Sequence, residues 1–241
     1  MIKVKKSGEL LWLLGIIFVA LGVAICSKAN LGVSMIAAPA FVVQEAIAAH
    51  FDFLSVGMVE YIIQGLLLVI LCLVVRRFDW RYLLAFAVAV IYGYTLDLFL
   101  LILGDFVIEA VWLRWVMLLV GDVVTAFGVA CFFRTYMPLQ VYELFVAEVA
   151  NRFSLPIARV KLFFDLSLLV VSIALALTLF GDIASFDLGT IGYASFHSLG
   201  LGTIVTTLIN SPIIALMGKV IDKIFAPTPL LPRMADLLKR H

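Results

Sequence analysis

Charge is scarce in this 241-residue sequence: Asp, Glu, Lys and Arg together make up 14%, against about 25% in an average soluble domain. A globular fold in water could not cover its interior with so little polar surface. The net charge of +1 removes any bulk attraction to nucleic acid. Cys26, Cys72 and Cys131 all lie in apolar stretches and none has a metal-ligand spacing, so they read as small hydrophobes. No H-E-x-x-H, G-x-S-x-G or Walker loop is present, so no catalytic constellation or nucleotide site is visible. The expectation is neither an enzyme nor a self-powered pump, and the sequence points to no cofactor and no metal.

Hydrocarbon is abundant instead. Hydrophobic residues make up 65% of the chain and the mean hydropathy is +1.19, which places it in lipid as one integral membrane domain over residues 1–241. Six stretches are long enough to cross: Leu10–Ser27, Val56–Val75, Tyr82–Leu103, Trp112–Phe133, Leu162–Phe180 and Ser198–Gly218. Two others, Ser34–Ala49 and Gln140–Ala150, are apolar but short. At 1.5 Å per residue they reach about 24 Å or less, against a hydrocarbon core of roughly 30 Å. Asn30 and Gly32 precede one and Pro138 precedes the other. Short apolar helices behind a breaker suit re-entrant half-helices buried in protein. The fold expected is therefore an all-α polytopic membrane protein of six transmembrane helices plus two re-entrant half-helices.

Basic residues choose between six and eight crossings. If the short segments do not cross, fifteen of the seventeen lysines and arginines fall on one side, with only Lys28 and Arg114 opposite. If both cross, Arg76, Arg77 and Arg81 change sides and the majority falls to twelve. The positive-inside rule selects six crossings with both termini cytoplasmic. Lys3, Lys5 and Lys6 ahead of an apolar run resemble a signal peptide, but no small-x-small site closes the run, so it reads as a retained helix.

An internal repeat is also visible. Gly22-Val23-Ala24, Lys28 and the breaker Gly32 are matched by Gly128-Val129-Ala130, Arg134 and the breaker Pro138. Each copy continues with a short helix carrying a glutamate, Glu45 or Glu148, and then a full span. Residues 10–75 and 116–180 are thus expected to be two copies of a span/half-helix/span unit. The intervening span Tyr82–Leu103 would invert the second relative to the first, a pattern that points to a transporter-like midplane site.

Three stretches carry a family likeness: Gly22–Pro39 (GVAICSKANLGVSMIAAP), Gly93-Tyr94-Thr95-Leu96-Asp97, and Gly200-Leu201-Gly202-Thr203 ahead of Pro212. Over roughly residues 8–222 the chain resembles the YitT/YczE-like family of bacterial multi-pass membrane proteins. It departs from that pattern at Ser34-Met35-Ile36, where members often carry a proline-tryptophan pair. The resemblance implies a bacterial cytoplasmic membrane location and no particular activity.

An ionisable residue inside a span costs about 2.5–3.5 kcal/mol on insertion scales and is a functional candidate by default. Asp97 and Asp122, deep in adjoining spans, are expected to share a cavity and to couple a proton or cation. Glu45 and Glu148 on the half-helices, His197, and Thr203 and Asn210 in the most polar span complete the candidate solute and ion path. Glu143 also falls in a half-helix. Glu60, Gln64, Lys161 and Asp165 lie near span starts, where interfacial exposure is expected, the last two as an intrahelical pair. Lys28 and Arg134 read as interface anchors. The leading functional reading is a secondary transporter or permease for a small solute. The competitor is a non-catalytic accessory or substrate-binding membrane subunit, of the energy-coupling-factor kind, that works with a partner ATPase. Besides the bilayer and the solute, a second copy or a partner membrane protein is an expected contact.

Overall fold

The computed structural model describes residues 4–48, 51, 53–106, 108–181 and 198–228. Among these residues it contains eight helices: α1 (Gly8–Lys28), α2 (Ala38–Ile47), α3 (Val56–Val75), α4 (Arg81–Leu103), α5 (Val111–Phe132), α6 (Val141–Phe153), α7 (Ile157–Phe180) and α8 (Leu201–Ile224). Six of them, all but α2 and α6, are long and apolar enough to cross a membrane. The expected architecture therefore stands, and it is that of a multi-span membrane protein. Most boundaries fall within two or three residues of the apolar runs. The exceptions are α2, which starts four residues late at Ala38 with Pro39 in its first turn, α7, which begins early because Pro156 presets the turn at its N-cap, and α8, which continues past Gly218 to Ile224.

One element was not expected. Strands β1 (Val4–Ser7) and β2 (Phe225–Thr228) pair in parallel, tying the start of α1 to the end of α8. The face carrying them is called here the terminal face, and the opposite one the distal face.

The bundle turns large apolar side chains outward and buries several charged and polar ones within a largely hydrophobic core, unlike a soluble protein. Leu66, Leu73, Leu101, Phe163 and Val170 are all more than 60% exposed, whereas Glu60, Gln64, Asp122, Asp165 and Asn210 are fully buried. Hydroxyls inside the helices bond back one turn, as Thr125 does to the Gly121 carbonyl at 2.9 Å and Ser172 to Leu168 at 2.8 Å.

Helices α1 and α5 form the central crossing, and glycines set its distance. A Cβ at Gly22 would lie 2.5 Å from the Thr125 amide nitrogen and 2.6 Å from the Gly121 carbonyl. A Cβ at Gly128 would lie 2.7 Å from the Val19 amide and 2.9 Å from the Gly15 carbonyl. Gly15 and Gly22 of α1 thus meet Gly128 and Gly121 of α5. Around this axis α2 packs on α7 and α3, α6 on α3 and α7, α4 on α1 and α3, and α8 on α5 and α7.

Candidate functional site

Both short helices start inside the protein. Met35 and Ile36, just ahead of α2, are buried in one cluster with Tyr142 and Val146 of α6 and Val160, Phe164 and Leu168 of α7. From there α2 runs to the distal face, where Gln44 and Glu45 line an open cavity of about 600 Å³ with Lys28, Asn30 and Asp105. Helix α6 runs to the terminal face, where Glu148, Asn151 and Arg152 line a cavity of about 720 Å³ with Arg77, Asp79, Arg81 and Tyr82. A small continuation of about 50 Å³ follows α6 inward past Leu139 and Leu144. The two cavities sit at opposite ends of α4: Tyr82 lines one and Leu100 the other, about 27 Å apart along the helix. They are two vestibules on opposite faces with a closed interior between them.

Irregular backbone at this depth must find partners. The chain between α1 and α2 finds them at the N-terminus of α8: Val33 donates to the Ser198 carbonyl and Gly202 donates to the Leu31 carbonyl, both at 2.9 Å. Gly32 adopts φ +104°, and a Cβ there would collide with Thr203 and Gly200. The segment between α5 and α6 is fastened to α1, where the Trp12 indole donates to the Pro138 carbonyl at 2.8 Å and Thr135 to the Gly8 carbonyl at 2.9 Å.

The closed interior holds a chain of buried polar side chains. Glu60 and Gln64 of α3 have no hydrogen-bond partner of good geometry on any side-chain oxygen or nitrogen. The neighbours of Glu60 are Tyr142, Glu143 and Tyr92, and both tyrosine hydroxyls are likewise unpartnered. Glu143 is the third residue of α6, where a carboxylate complements the helix N-terminus. Its second oxygen has no partner. Burial pushes the Glu143 carboxyl up to about 7, against the pull of the Lys161 ammonium and of its own backbone N–H. On α7, Lys161 and Asp165 form an ion pair at 2.5 Å, 3% and 0% exposed. Asp122 of α5 faces that pair electrostatically and lies beside Cys26 of α1.

The candidates read from the sequence divide. Asp97 accepts hydrogen bonds from the Ser55 hydroxyl at 2.6 Å and the Gly57 amide at 2.8 Å, so it caps the N-terminus of α3. Its hydrogen-bond partners are at the start of α3, whereas Asp122 has its neighbours on α1 and α7. Asp122 is in the interior chain. Glu45 and Glu148 line the two vestibules; Glu45 accepts from the Ser198 hydroxyl at 3.0 Å, and Glu148 neighbours the Tyr82 hydroxyl. Thr203 and Asn210 are fully buried on α8 with unpartnered side chains. His197 lies outside the described residues. Lys28 and Arg134 pair with Asp105 at 3.3 Å and Asp222 at 2.7 Å.

Interfacial exposure was the wrong expectation for Glu60, Gln64, Lys161 and Asp165. A signal for their burial exists in the sequence. Gly57, Glu60, Gln64, Leu68, Leu71 and Val75 recur every three or four residues, as do Lys161, Asp165, Leu168, Ser172 and Ala176, and both rows are the buried faces of their helices. In lipid the stripe that carries glycine and polar residues is the inward one.

The chain matches a family described as "Family of unknown function (DUF6198)" over residues 6–219. No curated protein and no solved structure matches it.

Proposed function

Starting from the family of unknown function DUF6198, to which this chain belongs, we propose that it is a secondary transporter for a small polar solute. It works without a catalytic step, in the bacterial cytoplasmic membrane that the YitT/YczE-like resemblance implies, with both termini cytoplasmic. The observation that carries this reading is the pair of half-helices whose inner ends meet at one buried cluster between vestibules on opposite faces. That cluster is apolar, and buried polar side chains such as Glu143 at the start of α6 lie beside it. Broken helices that begin at membrane depth next to polar groups are a binding-site arrangement of transporters, because half-helix ends and unwound backbone supply dipoles where a solute is stripped of water.

The packing around the α1/α5 axis supports reading residues 10–75 and 116–180 as inverted halves. Gly15 and Gly22 meet Gly128 and Gly121, each related to its counterpart by the same offset of 106 positions. The exchanges α2 on α7 and α6 on α3 are those that a two-fold axis in the membrane plane would produce. Such halves can rock about the glycine crossing, so that the distal and terminal vestibules open in turn onto the interior.

The test is flux through this chain alone. The detergent-purified protein is screened for thermal stabilisation against a metabolite and ion library, and each stabilising solute is offered in radiolabelled form to proteoliposomes. Uptake without any partner supports a transporter. Binding with no flux, together with copurification of an ATPase, would refute it in favour of an accessory substrate-binding subunit.

A further inference from the structure

The interior between the vestibules has more negative groups than its one cation can balance. Four carboxylates are buried there: Glu60 on α3, Asp122 on α5, Glu143 on α6 and Asp165 on α7. Lys161 is the only ammonium or guanidinium among the fully buried described residues, and its bond to Asp165 at 2.5 Å commits it to that partner. The remaining groups facing the cluster are neutral: Gln64 on α3, Tyr92 on α4, Tyr142 on α6 and Cys26 on α1. From α2, Glu45 belongs to the distal vestibule rather than to this interior, and α8 contributes Thr203 and Asn210. An uncompensated buried charge is among the most costly features a fold can carry.

Glu60 and Glu143 are where the imbalance concentrates. They are neighbours on different proposed halves. Both oxygens of Glu60, one of Glu143, the Gln64 amide oxygen and the Tyr92 and Tyr142 hydroxyls are buried with no hydrogen-bond partner of good geometry, with the Tyr142 hydroxyl and the Gln64 side chain close beside Glu60. That is an all-oxygen donor set of the kind hard cations prefer, and a carboxylate pair of this kind also holds a shared proton. We propose that Glu60 and Glu143 form the ion-coupling site of this permease, binding a single positive charge, a sodium ion or a proton, that accompanies the solute. The site rests on the transporter reading for its role in coupling, while its occupancy is measurable without transport. Binding draws α3 and α6 together at the interface between the halves, so occupancy biases which vestibule is open.

The experiment uses the full-length protein in detergent. Its melting midpoint is followed as NaCl replaces choline chloride at constant ionic strength, and as pH is varied from 5 to about 9. In parallel, the unmodified protein is treated with a hydrophobic carbodiimide, which reacts with protonated carboxyls, and the labelled peptides are weighed. A sodium site raises the midpoint by about 5 °C or more at a hundredfold excess over its dissociation constant. It also protects Glu60 and Glu143 from labelling, and Glu60→Gln or Glu143→Gln abolishes the shift. A proton site shows no sodium effect; labelling at Glu143 fades as pH rises through about 7, and the same variants flatten the pH dependence of melting. The sign follows from the Glu143 carboxyl being raised on folding: its stabilisation is complete below its ordinary value and is lost as pH rises through about 7.

Two results overturn the proposal: no sodium response with neither glutamate labelled at any pH, or glutamine variants that respond as the unmodified protein does. The first is the outcome for an interior that is merely a hydrated polar network. If the variants do not fold, labelling of the unmodified protein decides. Flux without ion dependence would remove the ion site and leave the transporter reading standing. Ion binding without flux would do the reverse.

Discussion

The α1/α5 crossing allows a substitution series whose order is set by distance. Replacing Gly22 with alanine places a methyl 2.5 Å from the Thr125 amide nitrogen and 2.6 Å from the Gly121 carbonyl. Both obstacles are backbone, and ordinary contact begins near 3.4 Å. The helices must therefore part by most of an ångström along their length, and every contact across the crossing loses attraction with them. Overpacking commonly costs about 1–3 kcal/mol, and Gly22→Ala should reach the top of that range because the Thr125 amide and the Gly121 carbonyl are backbone and cannot swing away as the Thr125 hydroxyl, also in the way, can. Gly128→Ala, 2.7 Å from the Val19 amide, should come next. Gly15→Ala meets the Phe132 ring at 3.2 Å and the Gly128 carbonyl at 3.3 Å, where a few tenths of an ångström suffice, and should cost about 1 kcal/mol or less. Ala174→Leu on the lipid-facing side of α7 is the control for added bulk. Melting in detergent, followed by the monodisperse fraction after heating, ranks the four. A Gly15 variant as damaged as the Gly22 variant, or a tolerated Gly22→Ala, would refute the argument that this crossing sets the fold.

The remaining predictions concern charge and topology. Asp97→Ala should cost about 1–2 kcal/mol through loss of the α3 cap, read as a lower melting midpoint, and Asp97→Asn should recover much of it; sodium and pH responses should be unchanged in both. Lys161→Met leaves Asp165 buried and unpaired, which should cost about 3–5 kcal/mol, whereas Lys161→Met with Asp165→Asn should restore much of the folded yield; equal loss in both would show that charge is not the cause. In a cysteine-free background, Phe78→Cys in the exposed α3–α4 turn should react with an impermeant maleimide only after the cells are opened, and labelling from outside would reverse the proposed orientation.

Helix existence was legible because a crossing helix is a local property. Length and hydropathy suffice, and the breakers Gly32 and Pro138 mark where two segments had to stay short. The site was less legible because position along a single span gives depth in the bundle only where all spans are level. They are not: Gly57, one residue into α3, lies against Gly93 near the middle of α4. Glu60 and Gln64, a turn or two from the helix start, are therefore deep in the bundle. The same offset explains Asp97, whose place on α4 puts it level with the exposed amides at the start of α3 rather than opposite Asp122.

The amino-acid sequence by itself determined the number of long apolar helices, the two interrupted segments and the Lys161–Asp165 pair, since each depends only on residues a few positions apart. Which polar side chains meet was decided by tertiary packing alone. Glu60 and Glu143 are separated by eighty-three positions, and they become neighbours only because glycine contacts set how closely the helices approach and how far one slides along the next. Pairing across a bundle depends on that sliding, and no spacing within a single helix encodes it.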